Sequence, residues 1–226
     1  PRSKVISIED IPEIQLHHGN WVPSVSREGP GIETEINMFS LLRSALRQRP
    51  EYIIVGEVRG EEAMTLFQAM NTGHTTYSTL HAESLQTAIN RLENPPINVP
   101  RAMFQALDII SIQVLTRIGD ERVRRSNALV EIAGLDDQDN SINFINLFNW
   151  DAATDAHSRA GRSVVLDEIS EELGMREADI KTELETREQI LRNMRERDVS
   201  GYKEFTRTVH EYYNAPDAVL RGIEAD

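Results

Sequence analysis

Three short β-branched runs, each closing on ionisable residues and separated from one another by longer segments, constrain the fold more than any other feature of this chain. They are "KVISIED" at residues 4–10, "EYIIVGEVRG" at 51–60 and "HTTYSTLHAES" at 74–84. Runs of this length and β-branched content predict buried strands. Between the first two, Thr34 can cap a helix in which Ile36, Phe39, Leu42, Ala45 and Leu46 recur at helical spacing, with Pro50 closing it. Between the second and third, Glu61 and Glu62 suit the positive end of a helix reaching about Asn71, and Gly73 suits its end.

Strand and helix therefore alternate to about residue 94, which predicts an α/β fold built on a mostly parallel sheet with crossover helices. Such sheets bind ligands beyond the carboxyl ends of their strands. All three runs place polar side chains at that edge. The Gly-, Pro- and Ser-rich stretch "HHGNWVPSVSREGPGIE" reads as a loop.

Residues 109–149 change character, with "DIISIQVLTRIG", "ERVRRSNALVEIAGL" and "SINFINLFNW" reading as an antiparallel β meander split by short polar turns. "WDAATDAHSRAGRS" reads as a loop. Helical segments follow at Val165–Leu173, Arg176 to about Arg197, Tyr202–Tyr213 and around Ala218–Arg221. The division expected is a domain over 1–150 that ends in the meander, and a helical C-terminal subdomain over 151–226.

The formal charge of −13 disfavours a nucleic-acid backbone as partner, because such binders need a positive field. Only Lys4, Lys181 and Lys203 are lysines, and arginine supplies the other basic residues. An acid-rich, lysine-poor surface suits high-salt solvent, where screening weakens self-repulsion; an ordinary acidic protein has the same balance. With no cysteine, disulfides, thiolate metal sites and thiol catalysis are excluded. No apolar run reaches the ~18 residues of a membrane span, and "PRSKVISIED" carries no signal-peptide core, so a cytoplasmic setting is expected.

Glu9, Asp10 and Glu13 form one acidic cluster and Glu57 stands in another, and carboxylates at a sheet edge can hold Mg2+ through water or position an attacking water. Acids at strand ends are also often simply solvated. His74 and His81 flank one strand at an odd separation, which puts them on opposite faces and makes a shared metal ion a poor reading. Arg43 and Arg47 share one helix face, and Arg59 follows the second strand. Guanidinium groups suit phosphate clamps, and equally a solvated helix face. No G-x-S-x-G elbow is present.

Together, "SIEDIPEIQL", "LLRSALRQRPEYIIVGEVRGEEAMTLFQAMNTGHTTYSTLHAES" and "NRLENPP" resemble the secretion ATPase superfamily, the hexameric RecA-like motors of type II and type IV secretion, type IV pili and the archaellum. Order and spacing agree over about residues 4–100. The resemblance implies a RecA-like P-loop ATPase core, ATP and Mg2+ as cofactors, a homo-hexamer, and a polytopic membrane platform protein as partner of a motor held peripherally at the cytoplasmic membrane. "SIEDIPE" resembles the Asp box, which makes Glu9 the candidate general base, with Asp10 and Glu13 beside the nucleotide. "IIVGEVRG" resembles an atypical Walker B segment, with Gly56 where many ATPases have aspartate and Glu57 serving Mg2+ through water. "TGHTTYSTLHA" resembles the His box, so His74 and His81 are implied to contact the terminal phosphate region. Arg43, Arg47 and Arg59 match arginines of such motors, some of which reach a neighbouring subunit's nucleotide. More loosely, "LFNWDAATD", "GRSVVL" and "HEYYNAPDAVL" resemble the C-terminal part of the archaeal branch.

One departure stands against these agreements, for no G-x-x-x-x-G-K-[ST] loop occurs in these residues. The expectation is a C-terminal piece of a motor whose phosphate loop and one crossover helix precede Pro1, inactive by itself. The alternative is a truncated, non-catalytic module that joins a ring or membrane complex. A DNA-handling RecA-like ATPase shares the alternating sheet, and the negative charge argues against it.

Overall fold

The computed structural model describes residues 2–27, 29 and 35–224. Two compact units result: Arg2–Gln15 with Asn20–Val165, and Leu16–Gly19 with the residues from Leu166 onward.

The first unit is built on β1 (Val5–Glu9), β2 (Trp21–Val25), β3 (Tyr52–Val55) and β4 (Thr75–Ser78), in the order β2-β1-β3-β4. All pairs are parallel, and the registers Ile8↔Val55 and Val55↔Ser78 align the carboxyl ends of β1, β3 and β4. Every residue of the central strand β1 is buried, as a run apolar on both faces demands. α1 (Met38–Leu46) and α2 (Glu62–Asn71) make the crossovers from β2 to β3 and from β3 to β4, and α3 (Leu85–Glu93) follows β4. The α1 cap is Asn37, whose Oδ1 accepts the Ser40 N–H at 2.9 Å; Thr34, the cap suggested by sequence, lies outside the described residues. Gly73 takes a φ of 86° after α2, a left-handed conformation that suits a residue without a Cβ. Ile6, Ile8, Leu42, Ile53 and Leu66 form the core with Phe104, which stacks at 5.4 Å on Phe67 from a short 3-10 turn at Arg101–Ala106. Each such fully buried side chain contributes about 1.5–3 kcal/mol before entropy is counted.

β2 corrects the loop reading of residues 17–33. Pro23 breaks the strand signal, yet among the described residues β2 pairs along all of its length with β1 on one side only, and a sheet edge tolerates a residue with no N–H. The Trp21 indole N–H donates to buried Ser7 Oγ at 2.9 Å and pins the strand.

The antiparallel sheet runs β5 (Ile109–Ile118), β6 (Glu121–Leu135), β7 (Ile142–Asp151) and β8 (Ala156–Arg159) in sequence order. Its first turn is Gly119–Asp120, with Gly119 at a φ of 58°. β8 is a second correction, since these residues were read as loop. Arg125 donates from Nε and an Nη to the two oxygens of Asp155, each at 2.7 Å, and the Trp150 indole donates to the same carboxylate at 2.9 Å. Those long-range bonds close a hairpin that "AHSR" has no apolar alternation to announce.

The second unit is helical, with α4 (Val164–Leu173) entering it and α5 (Glu177–Glu196), α6 (Tyr202–Asn214) and α7 (Pro216–Glu224) completing it. Among its described residues, Ile180, Ile190 and Met194 are the buried apolar side chains. The pairs Glu183–Arg187 and Glu188–Arg192 lie one helical turn apart on α5, a spacing worth about 0.3–0.5 kcal/mol each. Tyr212 on α6 donates to Glu183 at 2.9 Å. Among the described residues no helix is long and apolar enough to cross a membrane.

Candidate functional site

Parallel pairing in register brings the ends of β1, β3 and β4 to one edge, with Glu9, Glu57 and His81 at or just beyond them. Glu9 is 4% exposed, and its Oε1 accepts the backbone N–H groups of Glu13 and Ile14, each at 3.0 Å. The chain after β1 thus folds back around the carboxylate. Glu13 contributes its N–H, while its side chain is exposed.

Gly56 follows β3 directly beneath this carboxylate. A Cβ placed there would stand 3.1 Å from Glu9 Cγ, and the Gly56 N–H donates to Ile8 O at 2.9 Å. Glycine at this position is therefore the space through which Glu9 passes.

Glu57, the next residue, holds an oxygen 3.5 Å from His81 Nε2. Two bonds tie the ends of β3 and β4 together: Thr79 Oγ donates to Gly56 O at 2.6 Å, and the Val58 N–H donates to Thr79 O at 2.9 Å. Arg91 on α3 donates to the His81 carbonyl at 2.8 Å and steadies the backbone that carries the imidazole. His74 sits elsewhere. It precedes β4, at the amino edge of the sheet, with its N–H donating to Ala69 O at 3.0 Å and its Nδ1 3.3 Å from Thr72 Oγ. The strand between the histidines separates them, so His74 does not join Glu9, Glu57 and His81.

A second cluster continues the carboxyl edge toward β2. The Arg59 guanidinium donates to Asp10, whose other oxygen accepts the Ser26 hydroxyl at 2.5 Å. The turn bearing Arg59 is itself held by Glu62, 6% exposed, whose Oε1 accepts the Arg59 and Gly60 N–H groups, both at 2.7 Å. Asp10, Ser26, Arg27, Asn37, Arg59 and Glu62 line part of a cavity of ≈ 730 Å³. Arg43 and Arg47 are exposed on α1. Arg43 lies over the Phe39 ring at 5.5 Å, and Arg47 caps the end of α1 from which the chain turns to the amino end of β3.

Sequence reasoning missed Ser26, Thr79 and the burial of Glu62. Glu62 was legible only as an acid near a helix start, because its contact with the preceding turn is a property of the fold. The described residues contain no group of three or more His, Asp or Glu able to hold a metal ion. That donor set does not fit a metal cage made by protein alone. It does fit the protein's share of a Mg2+ site, one or two carboxylates with water and substrate phosphate completing the shell, with Glu57 as the half-buried carboxylate.

An uncharacterized protein of Methanocaldococcus jannaschii is 42% identical over 213 residues, covering 94% of this chain and 78% of its own length. A putative conjugal transfer protein of Mycobacterium tuberculosis is 32% identical over 158 residues, covering 67% of this chain, and the chain spans only 44% of that protein. Among solved structures, the VirB11 ATPase from the Brucella suis type IV secretion system, in complex with sulphate, is similar at a TM-score of 0.44. It is 26% identical, over 54% of this chain and 39% of its own. The family described as Type II/IV secretion system protein matches residues 1–215. The chain belongs to the type II/IV secretion system protein family.

Proposed function

We propose that these residues form the water- and metal-directing half of a motor domain that hydrolyses ATP to drive filament assembly or protein export. The observation that carries this reading is the meeting of buried Glu9 with Glu57 and His81 at the carboxyl edge of a parallel sheet, in a member of this family. With Oε1 occupied by two amides, Glu9 keeps its second oxygen to accept a hydrogen bond from a water and so orient that water. Glu57 offers an oxygen to the shell of Mg2+, and His81 extends a ring nitrogen toward the same space. Mg2+, when bound, neutralises phosphate charge. Arg59 is the phosphate-linked cation nearest to them. Arg43, exposed on α1, suits a contact with a neighbouring subunit of a homo-hexamer, whereas Arg47 and His74 stand at the amino edge of the sheet, away from Glu9, Glu57 and His81. Asp10 and Glu13 border the nucleotide.

The phosphate-cradling loop is supplied by polypeptide outside these residues. In support, among the described residues β4 ends the sheet with one side unpaired, and grooves of ≈ 670 Å³ and ≈ 430 Å³ run along it, bounded opposite by Leu107–Gln113. A further strand fits that slot. The working motor is cytoplasmic, and a polytopic membrane platform protein holds it peripherally at the membrane.

The test is turnover in the full-length protein. Glu57→Gln and Glu9→Gln are each expected to lower ATP turnover by about 100-fold or more while nucleotide binding stays measurable. Unchanged turnover in either variant removes that residue from the mechanism. The missing phosphate loop also favours a second reading, a non-catalytic module of a ring or membrane complex. Magnesium-independent, nucleotide-independent assembly of the full-length protein would select it.

A further inference from the structure

The carboxylate of Glu62 has no part in the reading above, yet it is among the few buried acids of the first unit, at 6% exposure. Burying a carboxylate is costly unless hydrogen bonds replace its water. Here the replacement is specific. One oxygen takes the N–H groups of Arg59 and Gly60 at 2.7 Å each, two consecutive amides of the turn between β3 and α2. The other oxygen would stand 3.1 Å from a Cβ at position 60, so Gly60 leaves the room in which the carboxylate closes on the turn. As the first residue of α2, Glu62 also meets the positive end of the helix.

What the clamp fixes is the origin of the Arg59 side chain. Arg59 is 61% exposed beyond its backbone, and its guanidinium reaches across the strand ends to Asp10, which is braced in turn by the Ser26 hydroxyl. A long, exposed arginine has many rotamers, and a turn that wandered would multiply them. Holding both amides leaves the side chain alone to move between Asp10 and an arriving anion.

We propose that Glu62 is a positioning residue for Arg59, clamping the Arg59–Gly60 turn so that the guanidinium rests on Asp10 and is delivered from a fixed point to the phosphates. This rests on the reading of Arg59 as phosphate-linked. A helix-start acid with a purely structural role would affect folding without acting through Arg59, and the two roles separate by experiment.

In the full-length protein, steady-state ATP turnover is measured for Arg59→Ala, Glu62→Ala, Glu62→Gln and the double variant Arg59→Ala/Glu62→Ala, alongside hydrogen exchange of the segment containing residues 59 and 60. Arg59→Ala and Glu62→Ala are each expected to lower kcat by about 10-fold, and the double variant no further than Arg59→Ala alone. Glu62→Gln keeps a carbonyl oxygen for both amides and is expected to hold kcat within about twofold. Exchange of the Arg59 and Gly60 amides should accelerate in Glu62→Ala and stay slow in Glu62→Gln. Independent, multiplicative losses in the double variant overturn the proposal, as does Glu62→Gln as impaired as Glu62→Ala. If Arg59→Ala leaves kcat unchanged, the phosphate-linked reading of Arg59 falls, and accelerated exchange in Glu62→Ala would then show a clamp with no cation to serve.

Discussion

At the scale of single residues, Gly56 and Glu9 behave as one feature. Because a Cβ at position 56 would press on Glu9 Cγ at 3.1 Å, Gly56→Ala is expected to destabilise the first unit by about 1–2 kcal/mol through overpacking. The same substitution in a Glu9→Ala background, where no Cγ remains, should cost less than about 0.5 kcal/mol; equal costs in urea unfolding would show that the contact is not the cause. Asp155 offers an acid-side test. The Arg125 guanidinium, followed by the Trp150 indole, draws its carboxyl from 3.8 down to about 2. A depressed carboxylate contributes its stability above the unfolded value, so the β7–β8 hairpin keeps that contribution at neutral pH. The contribution falls away as pH drops from about 3.8 through about 2. The Trp150 indole N–H resonance should therefore shift near pH 2, and a midpoint near 3.8 would count against the Asp155 contacts. Sequence placed Glu9 and Glu57 among the acids of interest by their position at strand ends. It could not show that Glu62 is buried or that Gly56 is a matter of clearance, since both depend on atoms brought near only by the completed sheet.

At the scale of elements, legibility followed apolar pattern. The strand read within residues 51–60 lies at Tyr52–Val55, and the helix read to about Asn71 ends there, because both carry their own periodicity and stop signals. β2 and β8 carry neither: one contains Pro23, and the other, "AHSR", is exposed throughout and depends on Arg125 thirty residues earlier. β4 was legible as a strand, but not as the last strand of its sheet. With Tyr77 58% exposed on that bare strand, Tyr77→Lys should change the stability of these residues in isolation by less than about 0.5 kcal/mol. In the full-length protein, where the slot beside β4 is proposed to be filled, the same change should cost about 1–3 kcal/mol, and equal effects in both would argue that the slot stays open.

At the scale of the molecule, one buried acid marks where the chain leaves its larger unit. Glu131, 1% exposed on β6, accepts the Ser163 hydroxyl at 2.5 Å and the Val164 and Val165 N–H groups at 2.8 and 3.4 Å. Glu131→Ala removes the common acceptor of all three donors and is expected to destabilise that unit by about 2–4 kcal/mol. Both tryptophans, Trp21 and Trp150, lie in the larger unit and report its unfolding; a loss below about 1 kcal/mol would mean the donors find other acceptors. The unpaired edge of β4 has a consequence for how copies of these residues behave in concentrated solution. Its open amides and carbonyls are a template on which a second copy can add a strand, the route by which sheets grow into aggregates. A charge of −13 opposes that approach while the field is unscreened. Colloidal stability then rests on electrostatics over a distance of about 10 Å at 0.1 M salt, and light scattering should detect growing particles as added salt shortens it.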